Sequence, residues 1–152
     1  MKLLITLELA LLFLATTFHS HNPPGWYQVP LPVNNLINDI HFLDSLNGYV
    51  ITERSEGSAH ILHTTNGGNN WEIQFSQNYL MTSIEFTDLM TGYVVGSVPP
   101  GIVLKTTNGG TNWFTAATTN FYPIWDVEFV NRDTGWVCSD DEFDGGIFRT
   151  TN

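Results

Sequence analysis

Carboxylates are the best-supplied reactive groups in this chain: fifteen Asp and Glu stand against five Lys and Arg in 152 residues. Asp39, Glu85, Asp126 and Glu128 flank the apolar residues of "DIHF", "SIEF" and "DVEF". Paired acids on neighbouring strands are what glycoside hydrolysis needs, one to protonate the leaving oxygen and one to attack or to activate water. The simpler expectation is polar positions on inner strands, and it is preferred here. In "SDDEFDGG", Asp140, Glu142 and Asp144 alternate ahead of Gly145, a spacing like that of calcium loops. The twelfth position is Thr151 where such a loop needs a bidentate Glu, so a solvated hairpin loop is expected and no metal is assigned. Cys138 is the only cysteine, which excludes an internal disulfide framework. His19 and His21 are read as part of a loose leader. Metal-protease, P-loop, nucleophile-elbow and dinucleotide motifs are absent, and no cofactor is expected.

The elements that position these groups repeat. "IHFLDSLNGYV" starts at Ile40, "IEFTDLMTGYV" at Ile84 and "VEFVNRDTGWV" at Val127, at steps of about 43 residues. Self-similarity at that period is the mark of four-stranded propeller blades. In the second copy, "SIEF" alternates as a first strand, "GYVVG" is a second, "GIVLKT" a third and "NWFTAA" a fourth. The expected fold is therefore all-β, a partial β-propeller of about three blades in an incomplete ring. Blades are expected at 38–81, 82–124 and 125–152, the last without its fourth strand as in a truncated longer propeller. Trp26 precedes Ile40 by the same interval as Trp113 precedes Val127, so residues 26–37 are expected to form an orphan outer strand. Cys138 occupies the column of Ile51 and Val95, where it serves as a small hydrophobe.

Between third and fourth strands lies "TTNGGNNW" at 64–71 and "TTNGGTNW" at 106–113; a third copy starts as "TTN" at Thr150. Asn66 and Asn108 can fold the turn by side-chain bonding to nearby backbone. The paired glycines, Gly68 and Gly110 among them, accept positive φ. Thr64 and Thr106 add hydroxyls, while Trp71 and Trp113 bury an indole whose N–H is expected near backbone acceptors. A sugar or metal site is the alternative, but one staple per blade is the economical reading. The residue before each box is basic, namely His63, Lys105 and Arg149. One basic group per blade at one height would form a ring able to hold an acidic protein segment.

These boxes resemble the Asp-box, or bacterial neuraminidase repeat, whose usual form is Ser-x-Asp-x-Gly-x-Thr-Trp. The longer run "GYVVGSVPPGIVLKTTNGGTNW" is similar to the photosystem II stability and assembly factor family, and the likeness extends over about Trp26 to Asn152. The resemblance implies a seven-bladed propeller at full length and a non-enzymatic scaffold that binds protein partners. In oxygenic phototrophs it implies assembly of the reaction centre on the lumenal side. The family uses an arginine-rich patch, whereas this chain has only Arg54, Arg132 and Arg149. The alternative is a carbohydrate-active propeller, either a lectin or a sialidase- or xyloglucanase-like hydrolase. The sialidase signature Arg-Ile-Pro does not occur.

Lys2 followed by the apolar run Leu3 to Ala15 reads as a signal peptide over about 1–20, too short for a stable membrane span. Export to a periplasm or beyond, or into a thylakoid lumen in a phototroph, is expected. A net charge of −10 argues against nucleic acid as a partner. Three blades leave apolar faces uncovered at both ends of the arc, so the chain expressed alone is expected to self-associate.

Overall fold

The computed structural model describes residues 25–151 apart from 56, 98 and 141–144. The expected signal peptide, His19 and His21 lie outside the described residues, as do Glu142 and Asp144. Among the described residues no helix forms, and none is long and apolar enough to cross a membrane.

Among the described residues, eleven strands make three antiparallel sheets. The first holds β1 (Ile37–Phe42), β2 (Gly48–Thr52), β3 (Ala59–Thr64) and β4 (Glu72–Gln77) in sequential order. The second repeats it with β5 (Met81–Phe86), β6 (Gly92–Gly96), β7 (Gly101–Thr106) and β8 (Phe114–Thr119). The third holds β9 (Ile124–Phe129), β10 (Gly135–Asp140) and β11 (Gly145–Thr150). All-β sheets of this kind are partial propeller blades. The fourth strands begin one residue after Trp71 and Trp113, because Asn70 and Asn112 still belong to the turn through their backbone N–H groups.

Burial explains the sequence pattern. "GYVIT" and "GYVVG" are buried at every position, since each second strand lies mid-sheet with both faces covered by packing. The core sits between sheets. Tyr49, Ile51 and Ile61 of the first blade pack on Ile84 and Phe86 of the second. Tyr93 and Val95 then pack on Ile124, Val127 and Phe129 of the third. The inner strands also clasp one another by a repeated bond. Asn38 Nδ2 donates to Met81 O at 2.7 Å, and Thr82 Oγ1, one blade on, donates to Ile124 O at 2.6 Å.

The expected outer strand at 26–37 is not formed. Residues 26–36 carry no strand, β1 begins at Ile37, and Trp26 and Tyr27 are exposed. A strand needs a ladder partner, and the first sheet already runs β1-β2-β3-β4 without these residues. Cys138 is half-buried on β10, where Ile51 and Val95 are fully enclosed.

Candidate functional site

The box turns are built from side-chain to backbone bonds that repeat atom for atom. Thr64 Oγ1 accepts from Asn66 N and from Gly68 N at 3.0 Å, and donates to Asn66 Oδ1 at 2.9 Å. Asn66 Oδ1 also accepts from Asn70 N, four residues on. Thr106, Asn108, Gly110 and Asn112 make the same four bonds. Gly67, Gly68, Gly109 and Gly110 all have φ between 65° and 84°, a region that a Cβ penalises. The expectation for the indoles needs correction. Trp71 Nε1 and Trp113 Nε1 are buried without an acceptor. Packing decides where the rings go. Trp71 lies over the Cα of Gly68 and edge-on to Phe42, and Trp113 edge-on to Phe86.

The three basic residues occupy one register position. His63 pairs across the ladder with Tyr49, Lys105 with Tyr93, and Arg149 with Trp136. Each lies on its aromatic partner. His63 stacks on Tyr49 at 4.3 Å, Lys105 Nζ lies 5.0 Å from the Tyr93 centroid, and Arg149 Cζ lies 5.6 Å from that of Trp136. The sequence column was visible; the stacking was not. The ring is not uniformly charged, because burial lowers the pKa of His63 and Glu72 only partly opposes this. His63 also bonds Gln74. The cationic shelf therefore consists of Lys105 and Arg149, each able to offer N–H donors beside an aromatic face.

The shelf is braced by the loop after β9. Tyr93 Oη donates to Arg132 O, and Arg132 Nε bonds Asp88 Oδ2 at 2.8 Å. The Arg132 guanidinium is the main reason that Asp88 is held down at about 2. The pair is exposed, so its contribution to stability is small.

Two of the four acids singled out above, Asp39 and Asp126, meet on the inner strands at a residue not foreseen. Ser83 occupies the column of Asp39 and Asp126, and its hydroxyl lies 3.0 Å from Asp39 Oδ2 and 2.8 Å from Asp126 Oδ1. One hydroxyl proton serves one carboxylate at a time. Asp39 accepts in addition from Ile40 N and Ile84 N, and Asp126 from Val127 N. Oxygens engaged in this way position strands and are poorly placed for proton transfer. Among the described residues no cluster of three metal-ligating side chains occurs, and Asp140 Oδ2 accepts from Trp125 Nε1.

Glu85 differs from its neighbours. Its Oε2 accepts from Phe129 N across the blade joint at 2.6 Å. Burial first, and the nearby Glu128 and Asp126 charges after it, push Glu85 up from 4.5 to about 7 against that bond. A raised carboxyl pKa means that the folded chain binds more protons than the unfolded chain, so stability falls as pH rises from 4.5 to 7. Glu85→Gln should raise the melting temperature at pH 8 and leave it nearly unchanged at pH 5, as thermal melts at the two values would show.

A family model described as photosynthesis system II assembly factor YCF48 matches residues 19–124. The chain belongs to this family. Among solved structures, "YCF48 bound to D1 peptide" is 25% identical with a TM-score of 0.70, over 88% of this chain and 41% of that one. YCF48 from Cyanidioschyzon merolae is 27% identical with a TM-score of 0.68, over 84% and 37%. The chain thus spans about two fifths of the length of these YCF48 relatives. A GH74 enzyme from Niastella koreensis, 19% identical with a TM-score of 0.56 over 76% of this chain and 21% of that one, shares the fold. No curated protein matches the chain.

Proposed function

We propose that the chain is a non-enzymatic, exported propeller unit that binds a segment of a partner protein. The observation that carries this reading is the register of Lys105 on Tyr93 and Arg149 on Trp136. Cations held on aromatic faces at equivalent heights in successive blades suit carboxylates spaced along an extended segment. Two further facts support it: one solved relative was captured with a D1 peptide, and the inner-strand carboxylates are occupied by backbone and hydroxyl donors. Export rests on the leader pattern at 1–20.

Calorimetric titration with that D1 peptide tests the reading. Lys105→Glu with Arg149→Glu should weaken binding by about tenfold or more while the melt stays cooperative, since charge-assisted contacts are worth about 1.5–3 kcal/mol each. Unchanged affinity would dispose of the shelf. The carbohydrate-active reading has one observation in its favour, the convergence of Asp39 and Asp126 on Ser83. Turnover of a glucan oligosaccharide that Asp126→Asn abolishes would favour it instead.

A further inference from the structure

We propose that the protein segment held by the shelf is bipolar, with a Lys or Arg at the box end of the first blade and carboxylates over Lys105 and Arg149. This rests on the protein-binding reading above and adds the direction in which charge runs along the bound segment. Three contrasts between equivalent positions carry it. In the second blade Lys105 pairs across the ladder with Phe114, whereas in the first His63 pairs with Glu72. An apolar neighbour in one blade is thus an exposed carboxylate in the other. Burial lowers the His63 pKa, so that ring adds no cation at neutral pH.

The second contrast is at the loop between first and second strands. Asp88 is answered by Arg132 of the next blade at 2.8 Å. Asp44 holds the Asp88 column in the first blade, but Leu89 stands in the column of Arg132. Asp44 accepts from Leu46 N, Asn47 N and Asn47 Nδ2 within its own turn and is exposed. The third contrast is the segregation of cations. Lys105, Arg132 and Arg149 lie at the box ends of the second and third blades, against Asp88 and Asp133. Arg54 follows β2 at the opposite end of its sheet from the box. Among the described residues, the box end of the first blade therefore carries Asp44 and Glu72 and no Lys or Arg. Charge laid out in this way fixes the register of a charged partner. A third acidic residue placed over the first blade would meet like charge and be rejected.

Fluorescence anisotropy with the full chain at low salt and pH 7.5 tests the proposal, using two synthetic peptides. One has two Glu towards one end and a Lys at the other, with Gly and Ser spacers that let the charges reach successive blades; the second has Glu in place of the Lys. The Lys peptide should bind about two- to fivefold more tightly, the range for one exposed ion pair. Glu72→Gln should narrow that difference and Glu72→Lys should reverse it. Glu72 is exposed, so both variants keep their fold, which thermal melts would verify. A nitroxide beside the peptide Lys should broaden the amides of His63 and Glu72 and spare Trp136 and Arg149. Equal binding of the two peptides, with both Glu72 variants silent, would overturn the bipolar segment. So would broadening centred on β10 and β11. If Lys105→Glu with Arg149→Glu still weakens both peptides in that case, the shelf stands and only its polarity is lost. Peptides that fail to bind, or that bind regardless of this double reversal, would remove the shelf and the polarity together.

Discussion

Phe86→Ala lowers the stability of the folded chain by about 3–5 kcal/mol, the range for losing a fully buried aromatic ring. Phe86 is 4% exposed and joins two blades. Its ring stacks on Tyr49 at 3.7 Å, receives the edge of Trp113, and lies over the Cα of Gly92. With total domain stability of about 5–15 kcal/mol, this one deletion takes a large share. The companion change is Gly92→Ala. A Cβ there would stand 2.6 Å from three atoms of the Phe86 ring, which cannot move aside because its other neighbours hold it. Overpacking of about 1–3 kcal/mol is expected. Gly48→Ala meets the ring of Phe42 in the same way, but that ring is 40% exposed and can turn outward. Urea denaturation should therefore place Gly92→Ala well below Gly48→Ala in midpoint. Equal effects would mean that Phe86 is not clamped between blades.

The second large effect is at the box. Thr106→Val keeps the shape of a fully buried side chain and removes its oxygen. The N–H of Gly110, buried and bonded at 3.0 Å, then has no acceptor, and that of Asn108 loses its longer bond. The cost is about 1–3 kcal/mol, with faster amide exchange at Gly110 and Asn112. Asn108→Asp should behave in the opposite way. The amide oxygen accepts from Thr106 Oγ1 and Asn112 N, and a carboxylate accepts the same bonds more strongly. Stability should hold or rise. A large loss in Asn108→Asp together with a silent Thr106→Val would show that the turn is held by something other than this oxygen pair.

Much of the fold was legible because blades are local. "GYVVG" and "GIVLKT" coincide with β6 and β7, since alternation and turn residues fix hairpins within a few residues. The box was legible for the same reason, with its Thr and Asn side-chain bonds spanning four residues or fewer. What the sequence hid lies across blades. The Ser83 hydroxyl meets Asp39 and Asp126 from 44 and 43 residues away, and only the column shared by these three residues hinted at it. The basic column at His63, Lys105 and Arg149 was visible, but its stacking on Tyr49, Tyr93 and Trp136 depends on strand register. The expected indole acceptors failed because packing on Gly68 and Phe42 sets the Trp71 ring orientation. The strand expected at 26–37 failed because periodicity marks a candidate strand and cannot supply its neighbour.

Nitrogen-15 NMR spectra of the chain titrated with the D1 peptide test the central claim most directly. The account predicts chemical-shift changes concentrated at Tyr93, Lys105, Trp136 and Arg149, on the box side of the second and third blades. Changes centred on Asp39, Ser83 and Asp126, with the shelf silent, would contradict it.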